Sequence, residues 1–314
     1  MKKISLLILL MLFSIIVIGC SSTTTTSTTI ISTTNETSQD TTVTETNIYN
    51  IEYYSLNNQT VIGDNVLEED EWFINHSSGG SHVIAKTNKN RYFAWGNNGN
   101  GQLGDGTTVS KETPVEITDN FELQAGEYIN YFSLGDRHSA AITNMGRVFT
   151  WGWNFYGRLG DGTTTSRSTP TDITSMFNLN TDEKVLSLTM GVSYSAAKTT
   201  QGRIFVWGEN SIGQLGDGTL VNKSVPTDIT GQFNLAEDEL LVVIALGSVH
   251  SAAFTSKSRL FTWGSNSYGQ LGDTSGSLKV NPTEITQYLN YTEGEFIIGL
   301  DLGRYNTVVL TSKG

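Results

Sequence analysis

The sequence predicts an all-β chain, a β-propeller of four-stranded antiparallel blades, and three observations carry that prediction. A fourteen-residue phrase returns every 56 residues: WGNNGNGQLGDGTT from Trp95, WGWNFYGRLGDGTT from Trp151, WGENSIGQLGDGTL from Trp207 and WGSNSYGQLGDTSG from Trp263. All four prolines (Pro114, Pro170, Pro226, Pro282) keep that spacing, and so do Glu71, Glu127, Glu183, Glu239 and Glu295. No window holds apolar residues at helical spacing for long enough to form a helix, and Gly interrupts every copy. A fixed period means one architecture built from copies whose core grows by stacking.

Within a unit the elements follow in a set order. The first strand is a run dense in branched and aromatic residues, Glu127 to Leu134 in one copy and Glu239 to Leu246 in another. After a Gly (Gly135, Gly191, Gly247, Gly303) comes Ser139-Ala-Ala-Ile-Thr143 or its counterpart, whose small residues predict a strand beside a crowded axis. A turn at Gly146 or Gly202 leads to a third strand ending at Trp151 or Trp207, then to the long Leu-Gly-Asp-Gly-Thr loop. A short outer strand follows the proline, Pro170 to Thr174, because proline cannot donate to an inner ladder. Four short antiparallel strands make a propeller blade.

The order strand, Gly-x-x-His-Ser-Ala-Ala, strand ending in Trp-Gly, then Asn-x-x-Gly-Gln-Leu-Gly-Asp-Gly-Thr resembles the repeat of the regulator of chromosome condensation family, over residues 71–314. The resemblance implies a propeller, seven-bladed in the best-known members. Residues 71–314 hold about 4.4 units, so the chain is expected to be a piece of a larger propeller, with a five-blade ring or closure by oligomerisation as alternatives. Within residues 48–70, Val61 to Val66 resembles the outer-strand region Glu116 to Phe121 and is a candidate closing strand for the last blade.

The N-terminus reads Lys2-Lys3, then an apolar stretch from Ile4 to Ile18, then Gly19-Cys20, which predicts a secretory signal over residues 1–19, too short for a comfortable membrane span. Val17-Ile18-Gly19-Cys20 resembles the lipobox of bacterial lipoproteins. That implies lipidation of Cys20 and a protein anchored by lipid to the extracytoplasmic face of the cell membrane; an ordinary signal peptide or uncleaved anchor is the alternative. Residues 20–47 are expected to be a disordered tether, since 18 of the 27 residues from Ser21 to Asn47 are Ser or Thr. With one cysteine, neither an intramolecular disulfide nor a cysteine metal site is possible. A net charge of −12 argues against nucleic acid, which demands clustered Lys and Arg.

The motifs that resemble chemical sites read as framework. Asp105, Asp161, Asp217 and Asp273 bring one carboxylate per loop, too few for calcium and suited to holding a turn. His82, His138 and His250 share their place with Tyr194 and Asn306, so that site needs a hydrogen bond and not a titrating imidazole. Gly99 to Gly104 spells a dinucleotide fingerprint without the helix it requires. No carboxylate pair stands out for glycoside chemistry. The expectation is therefore a non-enzyme with no cofactor and no metal.

A partner surface is expected where copies differ. After Trp-Gly, the second copy carries Trp153, Phe155 and Tyr156, and Arg158 replaces the Gln found at 102, 214 and 270; Tyr268 belongs to the fourth. A second variable series, after the first strand, includes Arg137 and Arg304. Aromatic and Arg residues dominate protein interfaces, so an unidentified protein is the expected partner. A cell-surface carbohydrate-binding or glycan-processing propeller is the alternative.

Overall fold

The computed structural model describes residues 65–313 together with the short strands Ser55–Leu56 and Gln59–Ile62. Among the described residues are four four-stranded antiparallel sheets whose strand order is the chain order. The second blade shows the pattern, with strands Ile129–Leu134, His138–Thr143, Val148–Gly152 and Arg167–Asp172. The others span residues 73–116, 185–228 and 241–284, and a fifth blade is represented by the pair Ile297–Leu302 and Thr307–Thr311. Cys20, the signal segment and the Ser/Thr-rich tether lie outside the described residues.

The segment considered as a closing strand does something else. Val61 pairs with Val66 and Ile62 with Asn65 in antiparallel register, so among the described residues the segment pairs with itself and the fifth blade gains no strand from it.

The core lies between blades. Ile84, Tyr92 and Ala94 of the first blade pack with Ile129, Phe132, Ala141, Phe149 and Trp151 of the second. Ala140, on the opposite face of the same strand, packs with Val185, Leu188 and Trp207 of the third. This corrects the reading of the Ser-Ala-Ala strand. Its alanines leave room for neighbouring aromatic rings on both faces of the sheet, and crowding of backbones falls on the glycines instead. A Cβ on Gly135 would stand 2.6 Å from Gly191 O, and one on Gly79 would stand 2.4 Å from Gly135 O.

The first three junctions are each pinned by an indole. Trp151, Trp207 and Trp263 donate Nε1–H to the carbonyls of Gln102, Arg158 and Gln214 in the preceding blade, at 2.9, 2.9 and 3.0 Å. Their rings meet Phe121, Phe177 and Phe233 edge to face at 5.4, 5.6 and 5.6 Å. The Gly of Leu-Gly-Asp is required here: φ is +75° at Gly160, and a Cβ there would lie 2.8 Å from Trp207 Nε1. The outer strand begins three residues before the proline, at Arg167, and Pro170 sits where the pairing shifts between Thr150 and Gly152. A ladder irregularity on an edge strand tolerates the missing N–H.

Candidate functional site

The strands have two ends, and the copies treat them differently. At the end where the first strand begins, one arrangement recurs. Arg147 reaches Glu127 at 2.8 Å and Asp172 at 2.9 Å; Arg203 reaches Glu183 at 3.0 Å and Asp228 at 2.8 Å; Arg259 reaches Glu239 at 3.0 Å and Glu284 at 2.8 Å. Glu183 also accepts from the Thr199 hydroxyl and from the Asn180 N–H, which hold its carboxyl below the usual range although burial opposes them. Glu71, Glu127, Glu183 and Glu239 of the period-56 series are thus ion-paired framework.

The histidine series is framework as well. His82 Nε2 lies 2.8 Å from Ser139 Oγ, His138 Nε2 3.1 Å from Ser195 Oγ, and the Tyr194 hydroxyl accepts from Ser251 Oγ at 3.1 Å. Burial lowers the pKa of His82 and of His250 to about 4, and pushes His138 well below its ordinary value. Asp105, Asp161, Asp217 and Asp273 accept from the loop's own Asn98, Asn154, Asn210 and Asn266. Among the described residues no three His, Cys, Asp or Glu converge as metal ligands.

At the opposite strand ends the two variable loop series lie side by side on one rim. Trp153 N–H donates to Arg137 O at 2.9 Å, Glu209 N–H to Ser193 O at 3.1 Å, and Ser265 N–H to Val249 O at 3.0 Å. The second blade's rim is a packed aromatic and cationic cluster. The Arg137 and Arg158 guanidiniums lie 5.3 and 4.2 Å from the Trp153 ring, and Phe155, 52% exposed, stacks on Trp153 at 5.8 Å. A second cluster forms across the last junction, where Tyr268, 73% exposed, meets Tyr305 at 4.8 Å with Arg304 against it. Both tyrosines border a cavity of about 460 Å³, also lined by Gly272, Leu289 and Val309.

Arg158 is the residue whose place differs most from the expectation. It is 1% exposed and lies beneath the rim, donating Nε–H to Phe155 O and Nη1–H to Val192 O, both at 3.0 Å. Burial pulls its pKa down to about 10, against the opposing pull of Glu209 and Asp136. Sequence reasoning also passed over Glu209, which hydrogen-bonds Ser193 and Ser211 on the neighbouring rim segment. Its departure from the neutral residues of the other copies was the available signal.

Stacked four-stranded blades, indole-pinned junctions and a rim rebuilt in every copy define a repeat-propeller protein with an invariant frame and one individual face. The RCC1-like domain matches residues 50–314, and the chain belongs to that family. It is 30% identical over 235 residues to the ultraviolet-B receptor UVR8 of Arabidopsis thaliana, covering 75% of this chain and 50% of that protein. The chain thus spans half the length of that relative. Human WBSCR16 superposes with a TM-score of 0.63 at 25% identity, over 79% of this chain and 60% of that one. Prp20p of Saccharomyces cerevisiae gives 0.63 at 24% identity, over 77% and 56%, a likeness of fold.

Proposed function

We propose that this protein is a lipoprotein anchored through Cys20 to the extracytoplasmic face of the cell membrane, and that its propeller binds another protein with the rim of variable loops. The supporting observation for binding is the contrast on one molecule between ion pairs repeated in successive blades and a rim where Trp153, Phe155 and Tyr156 replace the mostly polar Asn97, Gly99 and Asn100 of the first copy. Trp153, Phe155, Tyr156, Arg137, Tyr268 and Arg304 supply the contacts. The anchor rests on the Val17 to Cys20 quartet and the Ser/Thr-rich segment behind it.

Two measurements test the halves separately. Metabolic labelling with palmitate should mark the wild-type protein and not Cys20→Ala; equal labelling, or none in either, removes the anchor. Binding to a library of displayed random peptides should be lost in Trp153→Ala while thermal stability is kept. Retention of oligosaccharides in place of peptides would turn the reading toward the glycan alternative.

A further inference from the structure

The second blade's rim departs from its neighbours in a way that specifies what it binds. In the first, third and fourth copies a Gln side chain accepts a backbone N–H two residues earlier: Asn100 to Gln102 at 2.9 Å, Ile212 to Gln214 at 3.1 Å, Tyr268 to Gln270 at 2.9 Å. Arg158 has donors only and cannot do this. Its Nε–H instead takes Phe155 O, and Tyr156 is left in the left-handed region at φ 73°, where an aromatic residue is strained. The residues at 100, 212 and 268 show no such φ.

The exchange also buries a charge. No carboxylate lies within ion-pair distance of the Arg158 guanidinium among the described residues, whereas Arg91, Arg147, Arg203 and Arg259 at the other strand end each hold two. Arg137, above the same indole, has a side chain 52% exposed, and its one ion pair, to the neighbouring Asp136 at 3.3 Å, is itself open to solvent. Two cations stand against one ring, with Asp136 beside Arg137 and Glu209 on the adjoining rim segment, in a chain of net charge −12. A buried cation with no carboxylate at ion-pair distance still acts at low dielectric on charge that arrives above it, partly offset by the more distant Glu209 and Asp136.

We propose that this rim captures an acidic peptide segment of the partner: a carboxylate side chain pairs with Arg137, the flanking residues lie on Phe155 and Trp153, and Arg158 adds its charge from beneath the indole. Arg137 makes the contact; Arg158 is a positioning residue that fixes the Phe155 carbonyl. The inference rests on the protein-binding reading above and adds the chemical class of the partner.

The probe is the same random-peptide display library, panned on the 314-residue chain, followed by titration of the selected peptides against variants. Asp and Glu should be enriched in the selected peptides. Arg137→Gln should weaken them at least about tenfold and Arg158→Gln by several-fold, with binding falling as salt rises. Arg158→Gln restores the residue used by the other copies, so its melting temperature should hold or rise while binding drops, which a merely structural arginine would not do. Lys89→Gln, at the opposite strand ends, should leave binding unchanged. Peptides without acidic enrichment whose binding is lost in Trp153→Ala but kept in Arg158→Gln and Arg137→Gln would overturn the acidic partner and leave protein binding standing. No selected peptide at all, or retention only of an anionic glycan such as polygalacturonate, overturns both.

Discussion

The two ends of the blades obey opposite rules. Where the first strand begins, Arg91, Arg147, Arg203 and Arg259 each make two ion pairs with carboxylates at equivalent positions in four successive units. Where it ends, the equivalent positions hold Asn97, Trp153, Glu209 and Ser265, and Gln gives way to Arg at 158. One end repeats an ion-paired frame inside each blade; the other keeps the backbone carbonyls that the junction indoles use and changes the side chains around them. The second blade uses that freedom most, even at the cost of a strained Tyr156 and a buried guanidinium.

The sharpest way to break the comparison acts on the junctions that carry a histidine. His82 and His250 have folded pKa values of about 4, below the 6.5 of an unfolded imidazole. The unfolded chain therefore binds more protons as pH falls from 6.5 toward 4. Each imidazole should remove about 1.4 kcal/mol of stability per pH unit across that window, read by denaturant midpoints. The double variant His82→Gln and His250→Gln should reduce the slope and leave the part that His138 contributes; an unchanged slope would place the proton uptake elsewhere.

Next in size is the indole. Trp207→Ala removes a fully buried ring and its bond to Arg158 O and should cost about 3–5 kcal/mol in chemical denaturation. Arg203→Ala, which strips a partner from the solvent-shielded Glu183 carboxylate, should cost about 2–3 kcal/mol. At the rim the same kind of change should do little. Phe155→Ala, on a half-exposed ring, should shift stability by less than about 1 kcal/mol. A loss as large as that of Trp207→Ala would return Phe155 to the frame and erase the distinction between the ends.

Much of this was legible before any coordinates. The repeat specified four-stranded blades, the role of proline at an edge and the structural reading of the histidines, because each depends on local backbone geometry that recurs with the residues. The alanines of the second strand were misread, since Ala140 and Ala141 face different neighbours and only the stacking of blades reveals what fills the space beside them. Val61 to Val66 resembled an outer strand by composition, yet which edge a short strand joins is decided by competing pairings.

The rim divides in the same way. Sequence alone determined that residues 153–156 and 137 differ from their copies, because variation against a strict period is visible in one dimension. It did not determine that these loops touch, that Tyr268 finds Tyr305 across a junction, or that Arg158 points beneath the indole and not to solvent. Those are consequences of packing, in which residues 37 to 57 positions apart share one junction. The direction of a long side chain is set by which neighbouring carbonyls are free to receive it.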